Sequence, residues 1–333
     1  MTKSSASNPF SWFAAIRTRS EVRKADMQNL LQFLEEEGVN KKLLDGVRTF
    51  RETYPADPED SARIPDPEYF YYGTDTWNLA IAAILAGKNI LLSGPKATGK
   101  NVLSENISAL FGRPLWNVSF HINTDASYLI GTDTFNGNAV VFRPGPITQC
   151  AERGGFGILD EINMAKNEAL AVLHASLDFR RCLDIPGYER IELRPETRFI
   201  ATMNYGYAGT RDLNEALASR FAVIDMPQIS DDNLEKLILR RYTSIRPAIA
   251  RQLVKLYAEL MRKAESGEIS DAALDLRGLL DAVSLMKEGL TSGDALRLCI
   301  ENKSFDPYER SLIHDVIRMR IPSDLDAETV FEA

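Results

Sequence analysis

The stretch Ile90-Leu91-Leu92-Ser93-Gly94-Pro95-Lys96-Ala97-Thr98-Gly99-Lys100-Asn101 decides the fold. Ile90 to Ser93 reads as a short apolar strand, and the residues after Gly99 open a helix. A glycine-rich turn between strand and helix is the setting of the phosphate-binding loop G-x-x-x-x-G-K-[ST]. Gly94 and Gly99 permit a tight turn whose backbone N–H groups point inward at phosphate oxygens. The following helix adds its positive N-terminal end. Lys100 supplies a full charge to the β and γ phosphates. Gly94, Pro95, Lys96, Ala97, Thr98, Gly99, Lys100, Asn101 and Val102 are therefore the expected nucleotide-binding residues. The last motif position departs from Ser or Thr, whose hydroxyl would bind Mg²⁺. Asn101 stands there instead, and its side-chain carbonyl is also a hard oxygen ligand. The competing reading is a glycine-rich turn with no ligand.

Working outward, Phe156-Gly157-Ile158-Leu159-Asp160-Glu161 is an apolar strand ending in two acids. Carboxylates at the carboxyl end of a buried strand sit where ligands bind in open α/β sheets. Asp160 is expected to hold Mg²⁺, together with Asn101, and Glu161 to act as general base or polarise the attacking water. Phe199-Ile200-Ala201-Thr202-Met203-Asn204 is another apolar strand with a polar end. Asn204 can there hydrogen-bond the γ phosphate and the water, although a lone Asn at a strand end is commonly a turn residue. Arg220, in Ser219-Arg220-Phe221, can project to a neighbouring subunit and stabilise charge on the γ phosphoryl group. An ordinary surface salt bridge is the alternative. Arg277 starts a helix and can reach the phosphates when that region closes. Arg211 and Arg240 compete for these two arginine roles.

Three zones follow. Residues 1–73 contain two helical patterns, Ala25 to Glu37 and Lys41 to Tyr54, then a Pro- and Asp-rich stretch read as an ordered loop or linker. The cluster Tyr69 to Tyr72 reads as packing. Residues 74–229 alternate helices with apolar strands at Ile90–Ser93, Leu115–Phe120, Gly157–Leu159, Phe199–Met203 and Ala222–Met226. That pattern predicts a five-stranded parallel sheet with helices on both faces, an α/β fold. Residues 230–333 carry helical periodicity at Asp231–Tyr242, Ala248–Ala264, Leu276–Lys287 and Pro307–Arg318, and predict a small all-helical domain. Asn136-Gly137-Asn138 marks a hairpin-type turn. Cys182 to Leu193, broken at Pro186-Gly187, reads as a second hairpin.

Composition sets the outer limits. In 333 residues, 44% are hydrophobic and 26% charged, the balance of a globular chain. No apolar run approaches the ~18 to 20 residues of a membrane span. The polar start, Met1 to Asn8, lacks the apolar core of a secretory signal, so the chain is expected in the cytoplasm. With 39 Lys plus Arg against 47 Asp plus Glu, the net charge is -8, which argues against general nucleic-acid binding. Cys150, Cys182 and Cys299 form no CxxC pair and read as small core residues. His121, His174 and His314 have no zinc-hydrolase spacing.

With these residues in place, the chain resembles the AAA+ ATPases, and among them the MoxR-type group with the related CbbQ, NorQ and gas-vesicle ATPases. Gly94 to Asn101 is similar to Walker A apart from Asn101. Ile158 to Asn163 is similar to Walker B and its DEIN run. Asn204 resembles the first sensor, Arg220 the arginine finger and Arg277 the second sensor. Gly131 to Ile147 resembles the helix-2 insertion, and Cys182 to Leu193 the hairpin before the first sensor. The resemblance implies an AAA+ P-loop core followed by a helical lid. It also implies ATP and Mg²⁺, a ring that is usually a hexamer, and both hairpins facing a central pore. The implied work is chaperone-like remodelling of a client or activation of a metalloenzyme, with a von Willebrand factor A domain in the usual partner. Two further readings stay open: a nucleotide-bound scaffold with weak turnover, and a nucleic-acid motor.

Overall fold

A strand covered on both faces must be apolar nearly throughout, and every residue of β1 (Asn89–Gly94) is buried. The structure, a computed structural model, describes residues 29–135, 137–185, 187–205 and 213–332. The strands that follow are β2 (Leu115–Ser119), β3 (Gly131–Phe135), β4 (Val140–Pro144), β5 (Phe156–Asp160), β6 (Cys182–Leu183), β7 (Ile191–Glu192), β8 (Arg198–Asn204) and β9 (Phe221–Asp225). Five of them form one parallel sheet in the order β2-β5-β8-β1-β9. Each strand expected from the sequence is there, with ends shifted by a residue or two.

Alternation along the strands divides the core in two. Ile90, Leu92, Ile158, Ile200 and Ile224 join the apolar cluster that also holds the helices Thr74–Leu85 and Lys100–Leu110. Leu91, Leu159, Phe199 and Ala201 face the other way, onto Ile147, Cys150 and Ala151 of the helix Pro146–Arg153. The expected helices on both faces are thus present. After β9 come Asp231–Arg241, Pro247–Glu265, Leu276–Lys287, Ser292–Cys299 and Pro307–Arg320. The helices Thr74–Leu85 and Ser292–Cys299 are additions to the sequence reading. Among the described residues, no helix is long and apolar enough to cross a membrane, and the three cysteines are free and buried.

Residues 29–73 are packed against the sheet's helical layer. Residues 29–36 are helical; the earlier part of the expected Ala25–Glu37 helix lies outside the described residues. The helix Lys41–Thr53 is capped by Asn40, whose Oδ1 accepts from Lys42 N. Arg51 Nη1 donates to Leu110 O at 3.0 Å, at the end of the helix that follows the phosphate loop. The aromatic cluster packs as expected. Phe70 packs tilted against Phe33 at 5.1 Å and Tyr72 meets it edge-on at 5.0 Å, and Trp77 Nε1 donates to Tyr71 O.

Two small antiparallel hairpins leave the core. β3 pairs with β4, Phe135 opposite Val140, and Gly137 takes φ +94°, as a tight turn requires. β6 pairs with β7. Asn136 and Pro186 lie outside the described residues.

One buried cation joins three separate segments of the chain. Arg113 is 1% exposed; it donates through Nε to Gly154 O at 2.8 Å and through Nη1 to Tyr54 O at 2.6 Å. Its Nη2 faces Glu196 Oε1 at 3.6 Å. Removing one partner of a buried pair strands the other. Arg113→Met is therefore expected to lower unfolding free energy by about 3–5 kcal/mol, read by urea denaturation. A loss below about 1 kcal/mol would refute that account of the pair.

Candidate functional site

The carboxyl ends of three neighbouring strands make the site. Gly94 at the end of β1 lies opposite Asn204 at the end of β8. Leu159 of β5 lies opposite Ala201 of β8, so Asp160 and Glu161 emerge beside Thr202. Adjacent strands are about 4.8 Å apart, which sets the phosphate loop roughly 10 Å from the acidic pair.

The loop is shaped by backbone. Ala97 and Gly99 have φ +63° and +80°, and consecutive turns of this kind aim N–H groups into one concavity. A Cβ on Gly94 would lie 2.8 Å from Met226 O, so only glycine lets the strand end pass this close to β9. The ring of Tyr71 closes over Gly99, at 3.2 Å from where its Cβ would be. Lys100, 7% exposed, folds over the loop. Its Nζ donates to Gly94 O at 2.9 Å, Pro95 O at 2.6 Å and Thr98 Oγ1 at 3.2 Å. Burial pulls its pKa down to about 8, against the attraction of Asp160 and Glu161. Lys96, Ala97 and Asn101 are exposed around the loop, and Val102 is half-buried.

Asp160 is held from both sides. The Thr202 hydroxyl donates to its Oδ1 at 2.6 Å, and Asn101 Nδ2 donates to its Oδ2 at 3.3 Å. The same Thr202 oxygen accepts from Glu161 N at 3.0 Å. Glu161 has φ +54° and ψ +45°, a left-handed conformation that costs a non-glycine residue about 1–3 kcal/mol and recurs at functional sites. Its Oε1 accepts from Asn204 Nδ2 at 3.1 Å. Asn163 Nδ2 donates in turn to Asn204 O at 3.1 Å. The structure thus brings together Lys100, Asn101, Asp160, Glu161 and Asn204.

The arginines separate. Arg277 is exposed at the start of Leu276–Lys287, and its charge reaches Glu105, one helical turn beyond Asn101. Arg240 lies over the rings of Phe33 and Phe70 at 4.8 and 4.9 Å. Arg211 lies outside the described residues. Arg220 precedes Phe221, which pairs with Asn89 at the start of β1. Five residues of strand, about 16 Å, separate that end from Gly94. Arg220 is therefore remote from its own loop.

Thr202 had no role in the sequence reading, yet it ties both acids in place. A signal existed: period-two spacing puts Thr202 and Asn204 on one face of an otherwise apolar strand. Asn163 likewise had no separate role. Thr202→Val keeps the side-chain shape and deletes both bonds, leaving Glu161 N–H without an acceptor. The expected loss is about 1–3 kcal/mol in urea denaturation. A loss under about 0.5 kcal/mol would mean that the hydroxyl bridge carries no weight.

The chain is similar to known proteins over most of its length. The model of the AAA domain, dynein-related subfamily, matches residues 89–221, and that of the CbbQ/NirQ/NorQ C-terminal region matches 235–319. An uncharacterized Bacillus subtilis protein, YojN, is 33% identical over 259 residues, covering 76% of this chain and 81% of its own length. An uncharacterized Staphylococcus haemolyticus protein, SH1500, is 34% identical over 258 residues, covering 76% and 98%. A crystal structure of an ATPase candidate from Cytophaga hutchinsonii aligns with a TM-score of 0.42 and 14% identity, over 85% of this chain and 88% of that one. The chain belongs to the AAA+ ATPases, in the dynein-related subfamily, with the CbbQ/NirQ/NorQ signature of the MoxR type.

Proposed function

We propose that this chain hydrolyses ATP as one subunit of a cytoplasmic ring, a hexamer by family analogy, and uses the cycle to remodel or activate a protein client. The observation that carries the reading is the Glu161–Asn204 contact of 3.1 Å, set on the same row of strand ends as the Lys100 loop. A carboxylate and an amide so paired can hold one water between them and the γ phosphate.

Each residue then has a task. The loop from Gly94 to Val102 cradles the phosphates. Lys100 exchanges one of its three loop acceptors for a phosphate oxygen, a stronger charge-assisted bond. Glu161 accepts the proton of the attacking water as its oxygen bonds the γ phosphorus and the bond to the bridging oxygen breaks. Asn204 fixes that carboxylate's direction. Asp160 and Asn101 fit Mg²⁺: they offer hard oxygens, Asn101 turns its amide nitrogen to Asp160, and that cation is normally held by one or two protein groups plus phosphates and water. Mg²⁺ bound there supplies positive charge against the phosphate oxygens. Arg277 approaches from the helical region. Arg220, about 16 Å of strand away, acts on the adjoining subunit's nucleotide.

The hairpins suggest how the cycle meets a client. Phe142 of β4 stacks on Tyr188 at 4.8 Å, and the Tyr188 hydroxyl donates to Asp133 of β3 at 2.5 Å. Phe135 and Val140 at the end of β3–β4 are 72% and 64% exposed. An apolar tip on a braced support suits contact with a protein, and a partner with a von Willebrand factor A domain is the family's precedent. The net charge of -8 argues against a nucleic-acid track.

Glu161→Gln is expected to keep ATP affinity within a few-fold while turnover falls by about 10²–10⁴, measured by phosphate release with Mg²⁺. Normal hydrolysis by that variant would remove Glu161 from the base role. Glu161→Gln and Arg220→Ala subunits, each inactive alone, are expected to regain activity when mixed, because an intact Glu161 then meets an intact Arg220 across an interface. No recovery on mixing would defeat the shared-site reading. Background turnover by the parent chain would favour the scaffold.

A further inference from the structure

An arginine that serves a neighbour must be aimed before the neighbour arrives. Arg220 is held at three points. Nε donates to His174 O at 3.3 Å, Nη1 donates to Ala216 O, and Nη2 faces Asp178 Oδ2 at 3.4 Å. The side chain is 22% exposed. A guanidinium has five N–H donors. Three are committed here and two remain, the number that a bidentate grip on phosphate oxygens uses. Asp178 is the only charged acceptor of the three.

Asp178 is itself fixed. Arg180 grips its carboxylate twice, Nε to Oδ1 at 3.0 Å and Nη2 to Oδ2 at 2.8 Å, and Arg180 N donates to Oδ1 at 3.0 Å. This grip, aided by Arg220, holds the Asp178 pKa at about 2, so the carboxylate is ionised at any working pH. Two guanidiniums around one carboxylate keep a net positive charge. Without Arg180, the carboxylate would cancel the charge of Arg220 and blunt its pull on phosphate.

The corner bearing Asp178 is also anchored to the sheet. It follows the helix His174–Leu177. Asn89 Nδ2 donates to Leu177 O at 3.0 Å, while Asn89 Oδ1 accepts from Phe199 N at 2.9 Å. The corner is thus tied to the starts of β1 and β8, whose far ends carry Gly94 and Asn204.

We propose that Asp178, gripped by Arg180, is a positioning residue for Arg220: it orients the guanidinium so that two N–H donors face the γ phosphate of the adjoining subunit's nucleotide. The proposal rests on the reading of Arg220 as a residue acting across the ring interface. A misplacement of about 1 Å in a catalytic group can cost roughly 10²-fold in rate. The effect belongs in turnover, because Asp178 touches neither the phosphate loop nor Lys100.

The test uses the full chain with ATP and Mg²⁺, comparing Arg220→Ala, Asp178→Asn, Asp178→Glu, Arg180→Ala and the double variant Arg220→Ala/Asp178→Asn. Phosphate release gives kcat and KM, and assembly is checked by mass. Arg220→Ala is expected to lower kcat by about 10³–10⁵. Asp178→Asn is expected to lower kcat by about 10- to 100-fold with KM within about twofold. Asp178→Glu regains part of the loss, and Arg180→Ala loses activity in the same manner with the Asp178 backbone contacts kept. The double variant is no slower than Arg220→Ala, since residues acting as one unit are not additive. Unchanged or faster turnover in Asp178→Asn, a loss confined to KM, or a further loss in the double variant would overturn the proposal. If Asp178→Asn does not fold, Arg180→Ala decides by the same readings. Full activity in Arg220→Ala is a separate result: it removes the interface role of Arg220 itself.

Discussion

Because side chains alternate along a strand, the register of β8 between β5 and β1 governs everything at the site. Ala201 opposite Leu159 and Asn204 opposite Gly94 place Thr202 beside Asp160 and the Asn204 amide beside Glu161. A slip of one residue would turn Thr202 and Asn204 to the opposite face. Asn89 guards against that slip from the other end. Buried at 5% exposure, it accepts from Phe199 N through one side-chain atom and donates to Leu177 O through the other. A buried amide must satisfy both ends, and the pairing that satisfies Asn89 is the one that assembles the site.

The electrostatics follow from what is buried at that row. Lys100 is almost wholly enclosed and has three N–H donors, each with a loop acceptor. Burial weakens its hold on the proton, while the nearby carboxylates strengthen it. On the proposed reading, a phosphate bound there would shift this balance toward the ammonium, since it would bring negative charge into the same enclosed space. Asp160 spends both oxygens on neutral donors, Thr202 and Asn101, so its charge is oriented without being cancelled. Asn101 fills by its amide the place usually given to a hydroxyl.

The sheet and its order of helices were readable because β1, β5 and β8 are short apolar runs with polar ends, and a parallel sheet demands such runs. The pairing order of the strands was not readable, since apolar runs of similar length do not name their neighbours. The loop, Asp160, Glu161 and Asn204 stood out as polar groups at strand ends. Thr202 did not, because a threonine in a strand is ordinary until the carboxylate beside it is known. Asp178 was invisible for a similar reason: its meaning comes from Arg180 and Arg220, the latter 42 residues away in sequence and joined to it only by folding. Helix Ser292–Cys299 is short, and its cap at Thr291, which accepts from Asp294 N, is clear only once the helix is seen.

On the proposed reading, a single copy carries two halves of one chemistry at opposite ends of its sheet. The row at Gly94, Asp160 and Asn204 has the Glu161 carboxylate and the Lys100 cation; the corner at Asp178 and Arg220 has a second cation with donors to spare. Strand geometry keeps them about 16 Å apart, and no side-chain rotation closes that gap. The span is rigid, because β1 and β8 are buried throughout most of their length and hydrogen-bonded on both sides. β8 follows the β6–β7 hairpin after residues 193–197, and that hairpin touches β3–β4 through Tyr188. The strand that ends at Asn204 is therefore joined in sequence, at its other end, to the hairpin whose Tyr188 braces β3–β4.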